Sequence, residues 1–278
     1  MPAQIRCGFI GLGSQGGGMA RQIARAGFPL TLWARRPEAL EPFRDTGARF
    51  AGSVAELGAA AEHVGVCVVD DAGVTEVCNG LIASMAPGGR IVVHSTVHPD
   101  TCKALAASAA ARGLALIDAP VSGGGAGAEA RTLTVMVGGD PQAVAAAWPV
   151  FETFAGLAVH LGGVGAGQLA KLINNGLMAA NLAMVDHAMA AGDALGIGRA
   201  ALAQLLKVSS GRSYALDIYA SLPTPAAFLH GAKLLEKDVR LLADVLGPET
   251  AGGALERAAR GYLDGVKAAA AEPGKDRR

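Results

Sequence analysis

Aromatic residues are scarce, 4% of a 278-residue sequence that is 51% hydrophobic. A core with few rings must be assembled from Ala, Val, Leu and Ile, and the excess of Ala favours helices. Excess charge is lacking as well: Lys plus Arg and Asp plus Glu both number 24, for a net charge of +0. No basic field advertises a nucleic-acid or membrane-surface partner, and a small-molecule task is expected instead. The four cysteines, Cys7, Cys67, Cys78 and Cys102, have neither CxxC spacing nor the density of a disulfide scaffold. They read as reduced thiols of a cytoplasmic protein. His63, His98, His160 and His230 show no metal-ligand spacing, so no metal is expected. No run of about 18 purely apolar residues suggests a membrane span. The start, "MPAQIRCGFIGLG", lacks the apolar region and cleavage site of a signal peptide, and the tail, "AAAAEPGKDRR", is expected to fray.

What is present is an alternation of short apolar runs with Ala-rich amphipathic segments over roughly the first 160 residues. Strands are predicted at Ile5 to Ile10, Leu30 to Ala34, Val64 to Val69, Arg90 to Ser95, Leu114 to Ala119 and Thr132 to Gly139. Helices are predicted at Gln15 to Ala26, Val54 to Ala61, Val74 to Met85 and Pro99 to Arg112. Strands separated by single helices imply a parallel, doubly wound, Rossmann-like α/β sheet with right-handed crossovers. Beyond "GLAVHLGGVGAG" the pattern becomes wholly helical. A boundary is therefore expected between a Rossmann-like α/β domain, 1–163, and an all-α domain, 164–278.

The stretch "GFIGLGSQGGGMA" carries GxGxxG at Gly11, Gly13 and Gly16, after a predicted strand and before a predicted helix. Gly11 suits a tight turn, Gly13 the approach of a pyrophosphate to the backbone, and Gly16 close packing of helix on strand. At the end of the second strand an NAD site would carry an acid, but the sequence there is "LWARRPE". Ala34 takes that place, and Arg35 and Arg36 follow, with guanidinium groups suited to a 2′-phosphate. NADP is favoured, and NAD stays open, because two arginines can also simply solvate a loop. Further on, "APVSGGG" offers Ser122, Gly123 and Gly124 either as an anion nest or as a flexible loop. "GAGQLAKLINNG" then sets Lys171 and Asn175 four residues apart on one helical face, with Asn174 beside them. The helix dipole and desolvation both act to lower the pKa of such a lysine.

Taken in order, "GFIGLGSQGGGMA", "DAPVSGG", "GAGQLAKLINN" and "KDVRLLA" resemble the β-hydroxyacid dehydrogenases. That family includes 3-hydroxyisobutyrate dehydrogenase, tartronate semialdehyde reductase and, more distantly, 6-phosphogluconate dehydrogenase. The resemblance spans Ile5 to about Ala243. It implies hydride transfer between NADP(H) and a small β-hydroxy acid or its semialdehyde, by a homo-oligomer (dimer or tetramer). Ser122, Gly123 and Gly124 would hold the substrate carboxylate, Lys171 would be the general acid/base, and Asn175 would orient substrate. Gly11, Leu12, Gly13, Ser14, Gln15 and Gly16 would wrap the cofactor, with Val68, Val69 and Thr96 near its nicotinamide. Lys237 would close over the site, positioned by Asp238. Gln15 stands where methionine is usual, Val69 where proline is common, and His94 where an acid is frequent; beyond Leu246 the usual ending is replaced. Two other readings are an imine reductase, which generally lacks a lysine at this place, and a catalytically silent NADP-binding module.

Overall fold

The computed structural model describes residues 4–247 and 249–271. Of the tail expected to fray, Ala268 to Ala271 close a helix, and Glu272 to Arg278 lie outside the described residues. The chain divides into two compact units, Met1–Lys171 and Leu172–Arg278.

In the first unit six strands run parallel: β1 (Cys7–Ile10), β2 (Leu30–Trp33), β3 (Arg49–Phe50), β4 (His63–Val66), β5 (Arg90–Val93) and β6 (Ala115–Asp118). Their spatial order, β3-β2-β1-β4-β5-β6, reverses direction at β1, where a doubly wound sheet places its ligand crevice. Three more strands extend the sheet: β7 (Val121–Ser122), β8 (Leu133–Gly138) and β9 (Ala155–Gly162). β8 runs antiparallel to β6 and β7 and parallel to β9. The helices are α1 (Ser14–Arg25), α2 (Val54–Ala60), α3 (Asp71–Ser84), α4 (Pro99–Ala110), α5 (Gly124–Ala130) and α6 (Pro141–Phe151).

Both faces of this sheet are covered, so its strands read as continuous apolar runs rather than as alternation. Cys7 and Phe9 point into one core with Met19, Leu32 and Phe151, whereas Ile10 points into the other with Val64, Leu81 and Ile91. Side chains start the helices. Ser53 Oγ accepts from Glu56 N–H and caps α2, while Glu56 Oε2 reaches back to accept from Gly52 N–H. Asp70 caps α3, His98 caps α4 and Asp140 caps α6.

The six predicted strands and four predicted helices are present, with ends displaced by up to three residues. The parallel run expected to reach Val69 stops at Val66, which leaves Val68 and Val69 in the loop beyond the strand end.

The helix α7 (Ala166–Ala194) starts in the first unit and continues into the second. There follow α8 (Arg199–Leu206), α9 (Tyr214–Ser221), α10 (Leu229–Leu246) and α11 (Ala251–Ala271). The second unit buries Leu182, Met189, Leu216, Leu235, Val239, Tyr262 and Leu263 in one cluster. On α10 the buried positions Ala232, Leu235, Asp238, Val239 and Leu242 recur at helical spacing, with one carboxylate set in an apolar stripe. Tyr214, the first residue of α9, is exposed. Among the described residues no helix is long and apolar enough to cross a membrane.

Candidate active site

The glycine turn joins β1 to α1. Gly11 has φ +95°, and a Cβ on it would fall on the Cys67 carbonyl; one on Gly16 would fall on the Gly11 carbonyl. Neither position accepts a side chain. Gly13 differs: a Cβ there would meet nothing within 4 Å, so open space lies over the first turn of α1. That helix has no side-chain cap and no acidic residue in its first turn. Its N-terminal amides and dipole therefore present an uncompensated positive end to that space, which fits a pyrophosphate. A Cβ on Gly125 would fall on Ser14 Oγ, so the Ser122–Gly124 segment ends beside this turn.

Arg35 and Arg36 follow β2. Arg35 Nη2 lies 2.9 Å from Glu76 Oε2, and Arg36 Nε lies 3.9 Å from Glu38, all four side chains being exposed. Such pairs are weak in water, and a bound dianion competes with them directly.

The ends of β4, β5 and β6 meet the start of α7 through one buried network. Ser95 Oγ accepts from Val68 N–H at 2.8 Å, which ties the Val68–Val69 loop to the segment carrying Thr96. Gln168, with 0% exposure, accepts from Val97 N–H at 3.1 Å and donates Nε2–H to the Ser95 carbonyl at 2.8 Å. Asp118, equally buried, accepts from Gly165 N–H at 2.7 Å and from Gln168 N–H at 2.8 Å. Burial pushes the Asp118 carboxyl above the usual carboxylate range, the amide hydrogen bonds only partly opposing it. His94 donates Nδ1–H to the Ala119 carbonyl at 2.7 Å; a carbonyl can only accept, so Nδ1 carries the proton. The ring stacks on Phe9 with centroids 5.9 Å apart.

Asp118→Asn should cost about 1–3 kcal/mol, because the amide supplies one acceptor oxygen where two N–H donors need one each. A lower midpoint in thermal unfolding checks this, and an unchanged midpoint would count against it.

Ser122 lies on β7 opposite Thr134, and Gly123 and Gly124 follow with φ +128° and +66°. These left-handed angles turn the chain directly into α5. Lys171 and Asn175, 8% and 9% exposed, occupy the early turns of α7. Within the second unit, Asn175 donates Nδ2–H to Asp238 Oδ2 at 2.6 Å and accepts from Asn174 Nδ2–H at 3.0 Å. Asp238 Oδ1 in turn pairs with Lys237 Nζ at 3.2 Å. The contact of Asp238 with Lys237 is the one expected; its bond to Asn175 was not foreseen. Nor were the bonds made by Asp118 and Gln168. Their signal in the sequence is a carboxylate and an amide within otherwise apolar or glycine-rich runs, "LIDAP" and "GAGQLA".

The family description "NAD binding domain of 6-phosphogluconate dehydrogenase" matches residues 6–163. A second, "NAD-binding of NADP-dependent 3-hydroxyisobutyrate dehydrogenase", matches residues 165–276. The 3-hydroxyisobutyrate dehydrogenase of Pseudomonas aeruginosa is 35% identical over 271 residues, spanning 90% of this chain and 89% of the relative. The chain belongs to the 3-hydroxyisobutyrate dehydrogenase family. An NAD-dependent L-serine dehydrogenase of the same organism is 39% identical over 221 residues, 76% of this chain and 72% of that one. The Mycobacterium tuberculosis 3-hydroxyisobutyrate dehydrogenase, solved with L-serine, superposes with a TM-score of 0.84 at 27% identity, over 95% of this chain and 94% of that one. Membership of the 3-hydroxyisobutyrate dehydrogenase family makes this an NAD(P)-dependent oxidoreductase acting on CH–OH groups, with a Rossmann-like domain and a helical one. The resemblance carried by the four motifs is borne out.

Proposed function

We propose that the protein interconverts a small β-hydroxy acid and its semialdehyde, with NADP(H) preferred over NAD(H) and Lys171 as general acid/base. The observation that carries this reading is the burial of an ammonium-bearing side chain, Lys171, on the same helical face as a buried amide, Asn175. Lysine is rarely buried without a task or a partner. When bound, the nicotinamide supplies the hydride acceptor or donor. In oxidation Lys171, as the amine, takes the hydroxyl proton while hydride leaves the carbinol carbon; in reduction its ammonium protonates the alkoxide oxygen. Ser122, Gly123 and Gly124 hold the substrate carboxylate. Asn175 holds the reacting hydroxyl, its own amide fixed by Asp238, and Lys237 is held ready by the same carboxylate.

Gly11, Leu12, Gly13, Ser14, Gln15 and Gly16 take the pyrophosphate, Arg35 and Arg36 the 2′-phosphate, and Val68, Val69 and Thr96 the nicotinamide end. Residues 1–163 form the cofactor domain and 164–278 the substrate and dimerisation domain of a cytoplasmic homo-oligomer. Lys171 speaks against both the imine reductase and the silent-module readings.

A steady-state panel of NADPH and NADH with succinic, methylmalonic and tartronic semialdehydes, and of NADP and NAD with 3-hydroxyisobutyrate and L-serine, tests the reading. Tight NADPH binding with no turnover on any of them would sink it. Replacing Arg35 and Arg36 together by Ala should raise KM for NADPH about 10- to 100-fold, the worth of one or two charge-assisted hydrogen bonds. KM for NADH should move little; equal shifts for both cofactors would remove the 2′-phosphate assignment.

A further inference from the structure

Four segments that carry proposed site residues are joined, directly or through Ser95, by hydrogen bonds at one buried residue, Gln168. Gln168 sits in the first turn of α7, three residues before Lys171. Its amide spans the backbone on both sides of Thr96, accepting from Val97 N–H and donating to the Ser95 carbonyl. Through Ser95 Oγ the same segment holds the Val68 N–H. Its own backbone N–H is taken by Asp118, four residues before Ser122.

We propose that Gln168 is a positioning residue that sets the nicotinamide-end loops, Thr96 and Val68–Val69, against the helix turn that presents Lys171. The proposal rests on the cofactor and lysine placements of the preceding reading. A primary amide suits the task because it offers an N–H donor and an acceptor oxygen about 2 Å apart on a planar group, matching a backbone C=O and N–H that flank a single residue. At 0% exposure no water substitutes for either bond. Loss of the amide leaves Val97 N–H and the Ser95 carbonyl unpaired, and the cheapest relief is for the Thr96 segment to shift away from α7. The effect then falls on the nicotinamide end and spares the adenosine end, which rests on the glycine turn and Arg35.

The test uses the full chain with Gln168→Met, which keeps side-chain length and removes both hydrogen bonds. Amide hydrogen exchange should quicken at Val68 and Val97 by about tenfold or more, with the α3 and α6 amides unchanged. The dissociation constant for NADPH should rise about tenfold, while that for adenosine 2′,5′-bisphosphate, which lacks the nicotinamide, stays within about twofold. Where wild type turns over, kcat should fall about 10- to 100-fold, and the primary isotope effect with deuterated NADPH should rise as hydride transfer becomes limiting. A role in folding alone lowers the active fraction and leaves the isotope effect untouched. Gln168→Glu supplies a second reading: a protonated carboxyl reproduces both donor and acceptor, so its kcat relative to wild type should climb as pH falls from 8 toward 5.5. Equal weakening of NADPH and the bisphosphate, or no weakening of either, overturns the proposal, as does a Gln168→Glu ratio flat with pH. A wild-type chain without turnover would sink the hydroxy-acid reading alone, because hydrogen exchange and the two-ligand comparison decide on Gln168 without catalysis.

Discussion

Lys171→Ala is expected to lower kcat about 10²- to 10⁴-fold while the dissociation constant for NADPH stays within about twofold. The side chain is buried on α7, and the pyrophosphate end of the cofactor is assigned to a different element, the β1–α1 turn. Removing the lysine should therefore spare cofactor affinity and leave the alkoxide without a proton donor. Alanine is also the best helix former, so the backbone of α7 is not weakened by the change. Lys171→Arg sharpens the test. A guanidinium keeps the charge but does not deprotonate in proteins, so it cannot serve as the base. Oxidation should be lost in this variant about as fully as with alanine, and KM for the hydroxy acid should change less. Stopped-flow measurement of NADPH formation in a single turnover separates the proton-transfer defect from slow release. Unchanged turnover in Lys171→Ala would remove the role assigned to this residue.

Why this lysine was legible in the sequence and Gln168 was not comes down to the range of the interactions. The strand–glycine–helix run at Gly11 to Gly16 is local: positive φ at Gly11 and the absence of room at Gly16 demand glycine within six consecutive positions. Lys171 and Asn175 are related by helical periodicity alone. Gln168, by contrast, bonds Val97 and Ser95, 71 and 73 residues away, and Asp118 bonds Gly165 and Gln168 across 47 and 50. No periodicity in the chain announces such partners. The same distinction holds for the fold. The apolar runs of β1, β4 and β5 are visible because both faces are buried, while β3 and β7 are two residues each, too short for any pattern. α5 has the composition of a loop, "GGAGAEA". It is a helix because it packs on α1, where Gly18 leaves room for Ala128: a Cβ on Gly18 would come within 2.6 Å of the Ala128 methyl. Tertiary packing overrides propensity there.

His94, bonded to the Ala119 carbonyl and packed among phenylalanine rings, belongs to the core, and its burial has a measurable consequence. Burial drives His94 down to about 4, the hydrogen bond to the Ala119 carbonyl opposing this in part. Burial also takes His63 to about 3, helped by the charge of Arg90 and by His94. Both imidazoles are packed among rings, His94 against Phe9, Phe151 and Phe154, and His63 against Phe151. In the unfolded chain each titrates near 6.5. Between that value and the folded one the unfolded state binds more protons, so stability is fully present above about pH 6.5 and falls as the pH drops toward 4. Each histidine contributes a slope of up to about 1.4 kcal/mol per pH unit, and from pH 6.5 to 4.5 the pair should remove roughly 2–5 kcal/mol. That is a large share of a usual domain stability of about 5–15 kcal/mol. Asp118 acts in the opposite sense, since its raised pKa relieves the burial of its charge as the pH falls. Urea unfolding at half-unit steps from pH 7.5 to 4.5 measures the sum. In His94→Phe the slope between pH 6.5 and 5 should drop by about half whatever the variant's absolute stability, because only one imidazole is left to protonate on unfolding. NMR of the imidazole carbons should show His94 uncharged at pH 5; a midpoint near 6.5 would contradict the acid lability derived from its burial.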